Sequence, residues 1–90
     1  AYGIPEPSHA FINSATEAID AAHRIGFPVA LKVVSLDILH KSDVGGVILG
    51  LQNEDAVERG FNELMGNIKA RAPYARVSGV LVQWMVPNGL

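Results

Sequence analysis

Apolar residues recur along this chain with two different periods, and the switches between them divide it into elements. A short strand is expected at Ala10 to Ile12, after an extended lead-in at Tyr2 to Pro7 whose prolines disfavour helix. Ala15, Ala18, Ile19, Ala22 and Ile25 then follow helical spacing, with Glu17, Asp20 and Arg24 turned outward. Ser14 stands three residues before Glu17, the spacing at which a hydroxyl takes a backbone N–H while the carboxylate reaches back. Gly26 and Pro28 supply the stop. Val29 to Val34 is a short run rich in β-branched residues, interrupted by Lys32, and Val47 to Leu51 is a second such run. Asn53 is placed to cap another helix, whose Val57, Phe61, Leu64, Met65 and Ile68 form one apolar stripe ending near Pro73. Gly60 and Gly66 each weaken that helix by roughly 1 kcal/mol relative to alanine, so packing has to hold it. Val77 to Val86 is the last strand, with Val80, Val82, Trp84 and Val86 on one face. The order strand, helix, strand, loop, strand, helix, strand predicts a small mixed β-sheet covered by two helices, in an α+β or α/β unit.

Composition limits what such a unit can be. A chain of 90 residues buries only about 60% of its unfolded surface and holds one core. Without cysteine, disulfide scaffolds, Cys-based zinc sites and thiol catalysis are excluded. The net charge is -2, and lysines and arginines are spread singly, which argues against a nucleic-acid surface. No apolar run approaches the roughly 18 residues of a membrane span, and no basic stretch leads into an apolar signal core, so a cytoplasmic setting is expected. The chain opens on Ala1 and stops just after Pro87, Asn88 and Gly89, which suggests a piece of a longer protein.

Two features carry candidate chemistry. Lys32 stands mid-strand on the face of Ala30 and Val34, where an unpartnered ammonium costs several kcal/mol if buried. It is either an edge-strand lysine whose stem reaches water, or a point charge aimed at an anion such as a nucleotide phosphate. The string His40-Lys41-Ser42-Asp43-Val44-Gly45-Gly46 gathers an imidazole, an ammonium, a hydroxyl, a carboxylate and two glycines. Glycines let backbone N–H groups approach phosphate oxygens, although these are also ordinary loop residues and the spacing is not that of a Walker loop. His40 could serve as proton carrier, phosphate acceptor or hydrogen-bond donor. His9 and His23 lack a paired ligand at metal spacing and are expected at the surface. Gln83 is either a buried amide satisfied by backbone or part of a ligand edge, whereas Trp84 is expected in the core.

Taken together, these blocks resemble a known family. Tyr-Gly-Ile-Pro at 2–5, Gly26-Phe27-Pro28-Val29, Leu31-Lys32-Val33, His40 through Val47, and Gly79 through Val86 resemble, in order, the ATP-grasp region of nucleoside-diphosphate-forming acyl-CoA synthetases. The resemblance covers essentially residues 1–90 and implies the first, N-terminal lobe of an α+β ATP-grasp domain. It implies a ligase that interconverts acyl-CoA, ADP and phosphate with acid, CoA and ATP through a phosphohistidine.

By the same resemblance, Lys32 matches the strand lysine at the nucleotide phosphates, and Lys41, Ser42, Asp43, Gly45 and Gly46 match a mobile loop over them. His40 matches a candidate phosphate-relaying catalytic histidine. Gln83, Met85 and Val86 match the strand leading to the interlobe hinge, where the adenine edge is met. ATP or ADP is the implied nucleotide. Magnesium is implied too, with its acidic ligands in a second lobe and none here. The implied partners are that lobe, the CoA-binding domains and a small-molecule acid, with no nucleic acid and no membrane, and 90 residues alone are expected to be inactive. Two alternatives remain: a β-subunit of the succinyl-CoA synthetase type, against which the His-Lys-Ser-Asp string argues, and a non-catalytic ATP-grasp-like regulatory module fused to another enzyme such as a protein acetyltransferase.

Overall fold

A computed structural model of the chain describes residues 9–85. Its elements follow the expected order: β1 (His9–Ile12), α1 (Ala15–Ile25), β2 (Val29–Val34), β3 (Val47–Leu51), α2 (Glu54–Arg71) and β4 (Gly79–Trp84), with a 3-10 turn at Lys41–Val44 between β2 and β3. The last strand, expected over Val77 to Val86, runs only from Gly79 to Trp84, with Val77, Ser78 and Met85 outside it; the lead-in at Tyr2 to Pro7 and Val86 lie outside the described residues.

The four strands form one sheet in the order β1-β4-β2-β3. All three pairings are antiparallel, which corrects the expected mixed sheet. The reason lies in the helical connections. Each helix joins two strands that run the same way, and in both cases a third strand is inserted between them. β4 separates β1 from β2, and β2 separates β3 from β4, so no parallel pair becomes hydrogen-bonded.

Side-chain alternation then assigns the two faces. Val29, Leu31 and Val33 of β2 and Val80 and Val82 of β4 point one way and are buried, packed with Ala18, Ala21 and Ala22 of α1 and Val57, Leu64 and Ile68 of α2. The small alanine face of α1 lets that helix lie close to both α2 and the sheet. Caps fix where the helices begin. Ser14 Oγ accepts the Glu17 N–H at 3.1 Å, and Glu17 Oε1 reaches back to the N–H of Asn13 at 2.7 Å, one residue earlier than the usual reciprocal pair. Asn53 Oδ1 accepts from the Ala56 N–H at 2.8 Å.

Gly60 is buried where α2 crosses β3, and a Cβ there would stand 2.9 Å from Leu51 Cδ1; at Gly66 it would meet nothing within 4 Å. Packing therefore offsets the cost of the first glycine and not of the second. Trp84 shares the face of Val29, Val80 and Val82, as expected, but it is 41% exposed rather than core, because β4 ends there and no helix covers it.

Candidate functional site

Among the described residues the opposite face of the sheet bears no helix. Ala30, Lys32 and Val34 of β2, Leu81 and Gln83 of β4, and Val47 and Leu49 of β3 all point to it, since Lys32 pairs with both Val47 and Leu81. β2 has a neighbour on each side, so Lys32 is not an edge-strand residue. Its stem is half-buried on the sheet, and among the described residues its ammonium has no ion-pair partner.

The chain between β2 and β3 rises beside this face and makes the wall of a cleft of about 740 Å³. Lys32, Val34, Val47, Leu49 and Leu81 form its floor, and Leu39, His40, Lys41, Ser42 and Asp43 its side. The combination sets two lysines, an imidazole and a hydroxyl against one carboxylate above an apolar floor. Such a surface accepts an anionic head attached to an apolar or aromatic body.

Local hydrogen bonds give the wall its shape. The N–H of Asp43 donates to the His40 carbonyl at 3.1 Å, that of Gly45 to Ser42 at 3.2 Å, and that of Gly46 to Lys41 at 2.8 Å. The glycine N–H groups are thus spent inside the turn, and in this conformation they do not form an anion-facing set of donors. The glycines serve another need. Gly45 adopts the left-handed region at φ 70°, and a Cβ at Gly46 would stand 2.5 Å from Val33 Cγ1. His40 precedes the turn, is exposed, and makes no capping bond with its side chain.

At its entry the wall is held by Ile38, buried in the core, and by Asp37, whose Oδ2 accepts the Arg76 N–H at 2.8 Å. At its exit Asn67 Nδ2 of α2 donates to the Gly45 carbonyl at 2.9 Å.

Of the residues singled out from the sequence, the cleft brings together Lys32, His40, Lys41, Ser42 and Asp43. Gly45 and Gly46 lie behind it as the turn's exit. Gln83 shares the open face beside Ala30 and His9 but does not line the cleft. The Met85 N–H donates to the Pro28 carbonyl at 2.9 Å, and its Sδ lies 3.0 Å from the Gly50 N–H, so this backbone donor is engaged. Val86 is outside the described residues.

The sequence reading missed the apolar floor. Val34, Leu49 and Leu81 could have been assigned to it from strand alternation alone, once Lys32 marked the face. Asn67 and Asp37 had no such signal, because each acts on a distant segment. Among the described residues no three His, Asp or Glu side chains gather as a metal site. His9 and His23 are exposed as expected, His23 against Glu54 and edge-on to Phe27 at 5.5 Å.

Comparison with known proteins agrees with this architecture. The chain is 49% identical over 89 residues to an ADP-forming acetate–CoA ligase I of Archaeoglobus fulgidus, covering 99% of this chain and 13% of that protein. It is 38% identical to the β subunit of acetate–CoA ligase [ADP-forming] I of Pyrococcus furiosus, covering 98% of this chain and 38% of the subunit. A solved acetyl-coenzyme A synthetase 1 of Ca. Korarchaeum cryptofilum, in complex with coenzyme A and Ca-AMPCP, superposes with a TM-score of 0.86 at 43% identity, over 96% of this chain and 38% of that one. The chain therefore spans between about an eighth and two fifths of the length of these relatives. Residues 1–90 match the ATP-grasp domain throughout, and the chain belongs to that family.

Proposed function

We propose that this domain is the nucleotide-binding lobe of an ADP-forming acyl-CoA synthetase, in which acyl-CoA, ADP and phosphate are interconverted with acid, CoA and ATP. The observation that carries the reading is Lys32: an ammonium on an inner strand, without an ion-pair partner among the described residues, on the floor of a cleft walled by His40, Lys41 and Ser42. Phosphoryl transfer depends on positioning and charge neutralisation more than on covalent chemistry by the protein, and these groups supply both. Lys32 and Lys41 offset phosphate charge, Ser42 offers a hydroxyl, and the apolar floor takes the base or sugar. We assign the relay to the exposed imidazole of His40 in the cleft wall: its ring nitrogen takes the γ-phosphoryl group of ATP as ADP leaves, and gives it back to ADP in the reverse direction. Gln83 and Met85, which lie outside the cleft's lining, are assigned with Val86 to the approach to the adenine edge, Val86 itself being outside the described residues.

The relatives support the reading by their names, and one solved neighbour was crystallised with a nucleotide analogue. Among the described residues Asp43 is the only carboxylate lining the cleft, so these residues do not by themselves hold a magnesium ion. Its ligands are expected in a second lobe, which with the CoA-binding domains completes the enzyme, in a cytoplasmic setting without nucleic-acid or membrane partners.

Lys32→Ala in the natural full-length protein tests the proposal. Mg-ATP affinity measured by calorimetry is expected to fall at least about tenfold, the loss of one charge-assisted phosphate contact. Unchanged affinity would refute it.

A further inference from the structure

Asn67 has no part in the reading just given, yet it is tied to the wall on which that reading depends. It sits in α2 between the buried residues Leu64 and Ile68 and is itself half-buried. The hydrogen bonds from Asp43, Gly45 and Gly46 all run within the turn, so they fix its shape but not its place relative to Lys32. Ile38 and Asp37 hold the entry, and two bonds hold the exit: the Val33 N–H to the Gly46 carbonyl at 2.8 Å, and Asn67 Nδ2 to the Gly45 carbonyl at 2.9 Å. The second comes from a side chain on a long helix. It also meets Gly45 where no Cβ fits, since one there would stand 2.5 Å from Asn67 Nδ2.

We propose that Asn67 is a positioning residue for nucleotide binding, holding the 40–46 turn so that His40, Lys41 and Ser42 face Lys32 across the cleft. The inference rests on the nucleotide reading above and adds a residue outside the cleft that sets its affinity. Donor geometry explains the residue type. The amide N–H reaches a carbonyl already committed to a left-handed turn, whereas a carboxylate at the same position would face that carbonyl with no proton to share.

The test compares Asn67→Asp with the unaltered natural full-length protein in three measurements. These are amide exchange over residues 40–46, affinity for Mg-ADP, and thermal unfolding. Expected are exchange about tenfold faster at Asp43, Gly45 and Gly46, and Mg-ADP affinity about tenfold weaker, as for one lost hydrogen bond of average strength. The melting temperature should fall by no more than a few degrees, as for one hydrogen bond lost at the margin of the core. If Asn67→Asp does not fold, Asn67→Ala carries the same measurements. Binding by the unaltered protein with equal affinity in the variant overturns the role of Asn67 alone, and so does faster exchange without loss of affinity. Failure of the unaltered protein to bind Mg-ADP overturns the nucleotide reading, and the positioning role with it.

Discussion

At the scale of single residues, Lys32 shows how a site and a fold make opposite demands. Its stem lies half-buried on the inner strand β2 and its ammonium has no counter-charge among the described residues, so the charge adds nothing to the fold that an apolar side chain would not. Lys32→Met is therefore expected to leave the domain as stable as before, or more stable by up to about 1 kcal/mol, in denaturant titration, while nucleotide affinity is lost. Gly45 makes the reverse case. Its φ of 70° and the closeness of Asn67 leave no room for a side chain, so Gly45→Ala should cost about 1–3 kcal/mol in the same titration. Residues of the first kind were legible in the sequence because a charge inside an apolar strand stands out against its neighbours. Asn67 and Asp37 were not, because an ordinary asparagine or aspartate shows its partner only when the chain brings Gly45 or Arg76 to it.

At the scale of elements, periodicity and caps were enough to place both helices and the first three strands to within a residue or two, whereas the last strand is shorter at both ends than its apolar run, which continues beyond the paired residues. What periodicity does not encode is pairing. Antiparallel neighbours arise here from strand insertion, a property of the whole chain path, and the 3-10 turn at Lys41–Val44 has too few residues to show a period. The two helical glycines give an element-scale prediction. Gly66→Ala should stabilise the domain by about 0.5–1 kcal/mol in thermal or denaturant unfolding, since nothing opposes the helix-propensity gain. Gly60→Ala should gain less or lose stability, because Leu51 must yield to the new methyl. Leu64→Ala, on the fully buried stripe of α2, should cost about 2–5 kcal/mol.

At the scale of the whole molecule, stability and recognition occupy opposite faces of one sheet. The helix-covered face holds nearly all of the core, while the open face and its wall carry exposed Leu49 and Leu39, with Leu36 97% exposed on the approach. Leu36→Ser and Leu39→Ser should thus shift unfolding free energy by no more than about 0.5 kcal/mol, read by thermal melting of the domain. The strand order has a further consequence, for synthesis. Of the described elements β4 is the last made, yet it lies between β1 and β2. As the chain leaves the ribosome, β1 has no hydrogen-bonded neighbour and β2 has only β3 until residues 79–84 emerge. The lysine at the centre of the cleft is held in place by the final strand, so the nascent domain must wait for its C-terminal segment before its sheet can close, and folding depends on contacts of long sequence separation.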